Sequence, residues 1–168
     1  DFKGLWGALR RERLWVAALL CVCLGLVKES VSLWAPTILT KVLGMDAKGS
    51  LWLLLVIPLA NMGGLFLTRA LSLRLAGRPW LVARLLFLTV AAASAVLLAV
   101  GVSPAAVLLL AVVSAMANGC NSILLSQIPL SYASEGIVST LVGIFDFCSY
   151  MGAAVSSFLL GKILANAG

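Results

Sequence analysis

The chain has 168 residues, 62% of them hydrophobic and 11% charged, so most of its length cannot face water without exposing very large apolar patches. Twelve basic residues against six acidic ones give a formal charge of +6. Almost all of the bases fall in short polar joints between apolar runs, a pattern of membrane-protein loops and not of a nucleic-acid surface. The chain has no histidine, which excludes histidine metal ligation and His-assisted nucleophilic catalysis. Neither an enzyme activity nor a metal or cofactor is expected.

Residues 1–13 form a basic lead-in carrying Lys3, Arg10, Arg11 and Arg13. It resembles the start of a signal peptide, but no small-residue cleavage site follows and the apolar sequence resumes beyond Lys28 and Glu29. Runs long enough to cross about 30 Å of hydrocarbon cover residues 14–42, 51–73, 80–100, 105–130 and 137–160. The joints between them hold the glycines and prolines that end helices. The expected fold is all-α: a single transmembrane domain of five helices. With the amino-terminal tail placed in the cytoplasm, Arg69, Arg74, Arg78 and Arg84 join the lead-in bases on that side, against Lys41, Lys48 and Lys162 outside. An odd number of spans then reads as one helix short of an even bundle. Cys21, Cys23, Cys120 and Cys148 lie inside apolar runs and read as small hydrophobes without zinc or disulfide spacing. Ser149, Ala153, Ser157 and Gly161 on the fifth run, and Ala60 with Gly64 on the second, are spaced to let helices approach closely.

Polar residues inside these runs need a reason, because an ionised side chain at mid-membrane costs a few kcal/mol on insertion scales. Lys28 and Glu29 sit near the middle of the first span. Lys28 either snorkels or pairs with Glu29 or Asp146, or it faces a water-filled cavity and holds an anion. Neighbouring residues point about 100° apart on a helix, so one of the two faces the cavity and the other a neighbouring helix. Lys28 is the favoured cavity residue. Trp34 and Pro36 follow, and the proline removes a backbone hydrogen bond. The fourth span carries Asn118, Asn121, Ser126 and Gln127 before Pro129. These are either interhelical glue or contacts to a polar solute. Matching Pro36 with Pro129 as equivalents in an inverted repeat sets Asn121 opposite Lys28. On the fifth span Asp146 and Tyr150 share one face. Asp146 there requires a partner, a substrate hydroxyl or a proton.

The segment Lys28-Glu29-Ser30-Val31-Ser32-Leu33-Trp34-Ala35-Pro36-Thr37 resembles the seventh helix of major facilitator superfamily transporters of the organophosphate:phosphate antiporter family. In that pattern a basic residue precedes a tryptophan by six positions, W-x-P-T follows, and the base helps bind the substrate phosphate. Ser139-Thr140 with Gly143, Tyr150 and Gly152 is similar to the family's eleventh helix. The resemblance implies that the spans are helices seven to eleven of a carboxyl-terminal six-helix bundle, with the amino-terminal half of the transporter supplying the other wall of the cavity. Two departures stand out. Leu73 occupies the place of the usual aspartate in the cytoplasmic loop motif around Gly64, Ser72, Arg74, Gly77 and Arg78, and Asp146 replaces a residue that is commonly small or apolar.

The resemblance implies a secondary transporter in a bacterial inner membrane. It would exchange a sugar phosphate or glycerol phosphate for phosphate by alternating access. Lys28 would grip the anion, Asn118, Asn121, Asp146 and Tyr150 would address the polar body of the substrate, and Glu29 and Asp146 would supply coupling or charge balance. The expected partners are a small anionic substrate, membrane lipid and the missing half of the transporter, with no nucleic acid. Rival readings are a proton-coupled carrier of carboxylates or sugar acids, a transport-incompetent sensor of sugar phosphate, and a structural bundle.

Overall fold

A computed structural model of the protein describes residues 14–37, 47–75, 77–100 and 104–166. The basic lead-in, the end of the first expected span and the side chains of Glu29, Trp34 and Pro36 lie outside the described residues. Among the described residues the fold is all-α: α1 (Leu14–Thr37), α2 (Ala47–Arg74), α3 (Pro79–Val100), α4 (Pro104–Ser122) and α5 (Val138–Asn166). A π segment, Ile123–Gln127, and a last α turn, Ile128–Leu130, extend α4, and a 3-10 turn at Ala133–Glu135 leads into α5. Among the described residues four helices are long and apolar enough to cross a membrane, over Leu55–Arg74, Pro79–Val100, Ala106–Leu130 and Val138–Ile163, and Leu14–Lys28 of α1 is a shorter apolar stretch.

The fourth span is the hub. It is 56% buried, against 17–28% for the other three, and α1, α2 and α3 all pack against α4. α3 presents Val82, Ala83, Leu86 and Val90, a stripe with helical spacing. The outer faces of the same helices are apolar and open, with Phe66 71%, Leu59 67% and Leu98 86% exposed. In water such a surface would aggregate, whereas acyl chains solvate it at no comparable cost.

Two parallel crossings hold the bundle. A Cβ on Gly25 of α1 would overlap the carbonyl oxygen of Ser149, and one on Gly152 of α5 would overlap that of Val22. The second crossing joins α2 to α4: a Cβ on Gly64 would overlap the Ala115 carbonyl, and one on Gly119 would overlap Thr68 Oγ1. Without a hydrophobic force between helices in lipid, backbone contact of this kind supplies the van der Waals attraction that holds them together. The small-residue face of α5 is Ser149, Gly152, Ala153 and Ser156, all buried, and not the expected line down to Gly161. Gly161 has nothing within 4 Å of its missing Cβ, because a strict four-residue spacing drifts off a face that repeats every 3.6 residues.

Gly152→Val is therefore expected to lower thermal stability in detergent by about 1–3 kcal/mol, the usual cost of overpacking. Gly161→Ala, which meets open space, should leave the melting temperature unchanged or slightly raised.

Candidate functional site

On α1 the buried residues Leu14, Ala17, Cys21, Leu24 and Val31 form one stripe with Gly25. Lys28 lies on that stripe, four residues past Leu24 and three before Val31, and is half-buried. Lys28 takes part in an interaction there. Helical geometry turns Glu29 about 100° away from it.

The register of α1 against α5 follows from the glycine contacts, which set Gly25 beside Ser149 and Ala153, and Gly152 beside Val22 and Leu26. The helices are parallel. Asp146, half-buried, lies close enough to Cys21 to act on it electrostatically. Lys28 is seven residues further along α1 than Cys21, about 10 Å at 1.5 Å per residue. Lys28 and Asp146 thus stand at different depths. Tyr150, one turn beyond Asp146, is 64% exposed.

Asn121 precedes Leu130 by nine residues and Asp146 follows Val138 by eight. Since α4 and α5 are joined through residues 131–137 as an antiparallel hairpin, both groups lie about 12–14 Å from the same hairpin end. α5 meets the fourth span through the π segment and its last turn, and α1 packs on both α4 and α5. The helices bearing Lys28, Asn121 and Asp146 therefore pack together.

The polar residues of α4 separate into two sets. Gln127 Nε2 donates to Ser72 Oγ at 3.1 Å, tying the π segment to the end of α2. Asn118 Nδ2 donates to the Ser114 carbonyl at 3.0 Å, and Ser114 Oγ donates across to Asn61 Oδ1 at 2.9 Å. Among the described residues Asn121 and Asp146 make no side-chain hydrogen bond. In a membrane interior an uncommitted amide or carboxyl is costly, and such groups face water or a ligand. Sequence reasoning singled out Asn118, Asn121 and Gln127 but not Asn61 or Ser114. Their signal was only their polarity within apolar runs.

The sequence model of the Major Facilitator Superfamily matches residues 1–157. The chain belongs to the major facilitator superfamily. No curated protein and no solved structure matches it. It is a multi-pass membrane protein of a superfamily of secondary transporters, which move small solutes and are not enzymes.

Superfamily halves contain inverted three-helix repeats, and the two crossings obey such a relation. Exchanging α1 and α2 for α4 and α5 carries the α1–α5 crossing into the α4–α2 crossing, and Gly25 and Gly152 into Gly119 and Gly64. Matching Gly25 with Gly119 makes Ser122 the counterpart of Lys28. That is one residue from Asn121, which the proline match selects.

The Ser72–Gln127 bond is expected to show as non-additivity between Ser72→Ala and Gln127→Leu. A double-mutant cycle on unfolding should give a coupling of about 0.6–1.7 kcal/mol, the range for interhelical hydrogen bonds in membranes.

Proposed function

We propose that this chain is part of the carboxyl-terminal half of a bacterial inner-membrane antiporter, which moves a sugar phosphate or glycerol phosphate in exchange for inorganic phosphate. Residues 1–168 would form one transmembrane domain with a cytoplasmic amino-terminal tail, and an amino-terminal half would close the cavity. The observation that carries the reading is Lys28: a half-buried cation within an apolar helix. An ammonium is a compact, strongly hydrated point charge, suited to holding an anion that must leave again in every cycle.

Asn121 and Asp146, uncommitted among the described residues and about equally deep in their hairpin, address the hydroxyls of the substrate. Asn118 and Tyr150 complete this contact set, and Glu29 balances Lys28 when the site is empty. The separation of about 10 Å between the levels of Lys28 and Asp146 suits a solute with a charged head and a polar tail. Alternating access follows from rocking of the two halves about this site.

A second reading rests on Asp146. A half-buried carboxylate beside Cys21, with no hydrogen bond among the described residues, is also what a proton-coupled carboxylate carrier needs. The two readings differ in coupling, since phosphate exchange is indifferent to an uncoupler over short times and proton symport collapses with it.

In liposomes carrying the whole transporter, wild type is expected to exchange labelled phosphate for glycerol 3-phosphate or hexose 6-phosphate. Lys28→Ala should lose at least tenfold in rate, and Lys28→Arg should keep part of the activity. Normal exchange by Lys28→Ala would make the lysine structural. Asp146→Asn should leave exchange insensitive to an uncoupler, as in wild type. If wild-type uptake of carboxylates collapses with the uncoupler and Asp146→Asn abolishes that dependence, the symport reading replaces the first.

A further inference from the structure

Ser114 is fully buried and organises two asparagines. Its hydroxyl donates to Asn61 Oδ1 at 2.9 Å, and its carbonyl accepts from Asn118 Nδ2 at 3.0 Å. An asparagine side chain has two N–H donors and one acceptor oxygen with two lone pairs. The Ser114 bond uses one lone pair of the Asn61 oxygen and leaves both its amide N–H groups, whereas the other bond uses one N–H of Asn118 and leaves its second N–H and its oxygen. Among the described residues none of these remaining groups has a partner. Both asparagines are half-buried, so the arrangement offers both donors and acceptors, fixed through a common residue, at the contact between α2 and α4.

A donor beside an acceptor is the complement of a hydroxyl group, which both donates and accepts. A phosphate or a carboxylate only accepts, and could use the remaining N–H groups but not the oxygens. The valences left over lie inside an apolar region, where unpaired polar groups are costly.

We propose that Asn61, together with Asn118, reads a hydroxyl of the transported solute, with Ser114 as the positioning residue that sets the two amides. This rests on the transporter reading above and extends it to α2, where no substrate contact was expected. It also divides the labour: Lys28 takes the anionic head, and the asparagine pair selects for a hydroxylated body.

The test uses the whole transporter in proteoliposomes, scoring inhibition of phosphate exchange by glycerol 3-phosphate and by propyl phosphate, which lacks the hydroxyls. Asn61→Ala alone would strand the Ser114 hydroxyl, so the informative variant is Asn61→Ala/Ser114→Ala, which removes both ends of the buried bond and is close to neutral for stability. Wild type should favour glycerol 3-phosphate, and the double variant should lose roughly 3- to 10-fold of that preference, the worth of one hydrogen bond. An unchanged ratio between the two inhibitors, even if both bind more weakly, would overturn the proposal and leave Asn61 as glue. If wild type exchanges no phosphate ester, the antiporter reading fails separately. The pair is then scored by thermal stabilisation with gluconate and hexanoate. Loss of the gluconate effect alone in the double variant supports the hydroxyl role, and an equal change for both overturns it.

Discussion

Gly25 and Gly152 bring the backbones of α1 and α5 so close that a methyl group on either would overlap a carbonyl oxygen of the other helix. Lipid offers no hydrophobic force to push helices together, so the attraction must come from atoms in contact, and bare backbone gives the closest contact available. The same notch fixes register. Once Gly25 lies beside Ser149 and Ala153, Asp146 lies at the level of Cys21 and Lys28 stands one turn beyond the crossing. The depth at which each charged residue meets the membrane interior is thus a consequence of where two glycines fall.

The second crossing repeats the first with the roles of the helices exchanged, and α4 becomes the hub because it takes part in this crossing while also receiving α1 and α3. A hub helix has little lipid-facing surface, so its polar residues are sorted by their neighbours. Gln127 and Asn118 are held by Ser72 and Ser114, while Asn121 makes no such bond among the described residues. The π segment Ile123–Gln127 lies where the fourth span meets α5, and its wider turn leaves local backbone bonds less regular than an α-helix would. Function in this superfamily requires helices that bend without losing their packing. A crossing fixed by glycines in mid-span, with an irregular turn nearer the end, meets both requirements.

Much of this architecture was legible in the chain because a membrane imposes length and polarity on every span. The all-α fold, the five helices and the superfamily follow from apolar runs, their joints and the segment around Lys28. Ala60 with Gly64, and Ser149 with Ala153, marked two faces correctly. Gly25 and Gly119 went unmarked, since a lone glycine in a helix looks the same whether it meets a carbonyl oxygen or open space, as Gly143 and Gly161 do. The π segment left no compositional trace. Asn61 and Ser114 were passed over because their bond joins residues 53 positions apart, and only the α2–α4 register brings them together.

The central claim is that Lys28 faces water and an anion in the assembled transporter. Its most direct test is the accessibility of Lys28→Cys, in a background with Cys21, Cys23, Cys120 and Cys148 replaced, to a charged thiol reagent applied to membranes. The account predicts labelling at Lys28→Cys, and none at Leu59→Cys, on the open apolar face of α2. Absence of labelling at position 28, or equal labelling at positions 28 and 59, would contradict it.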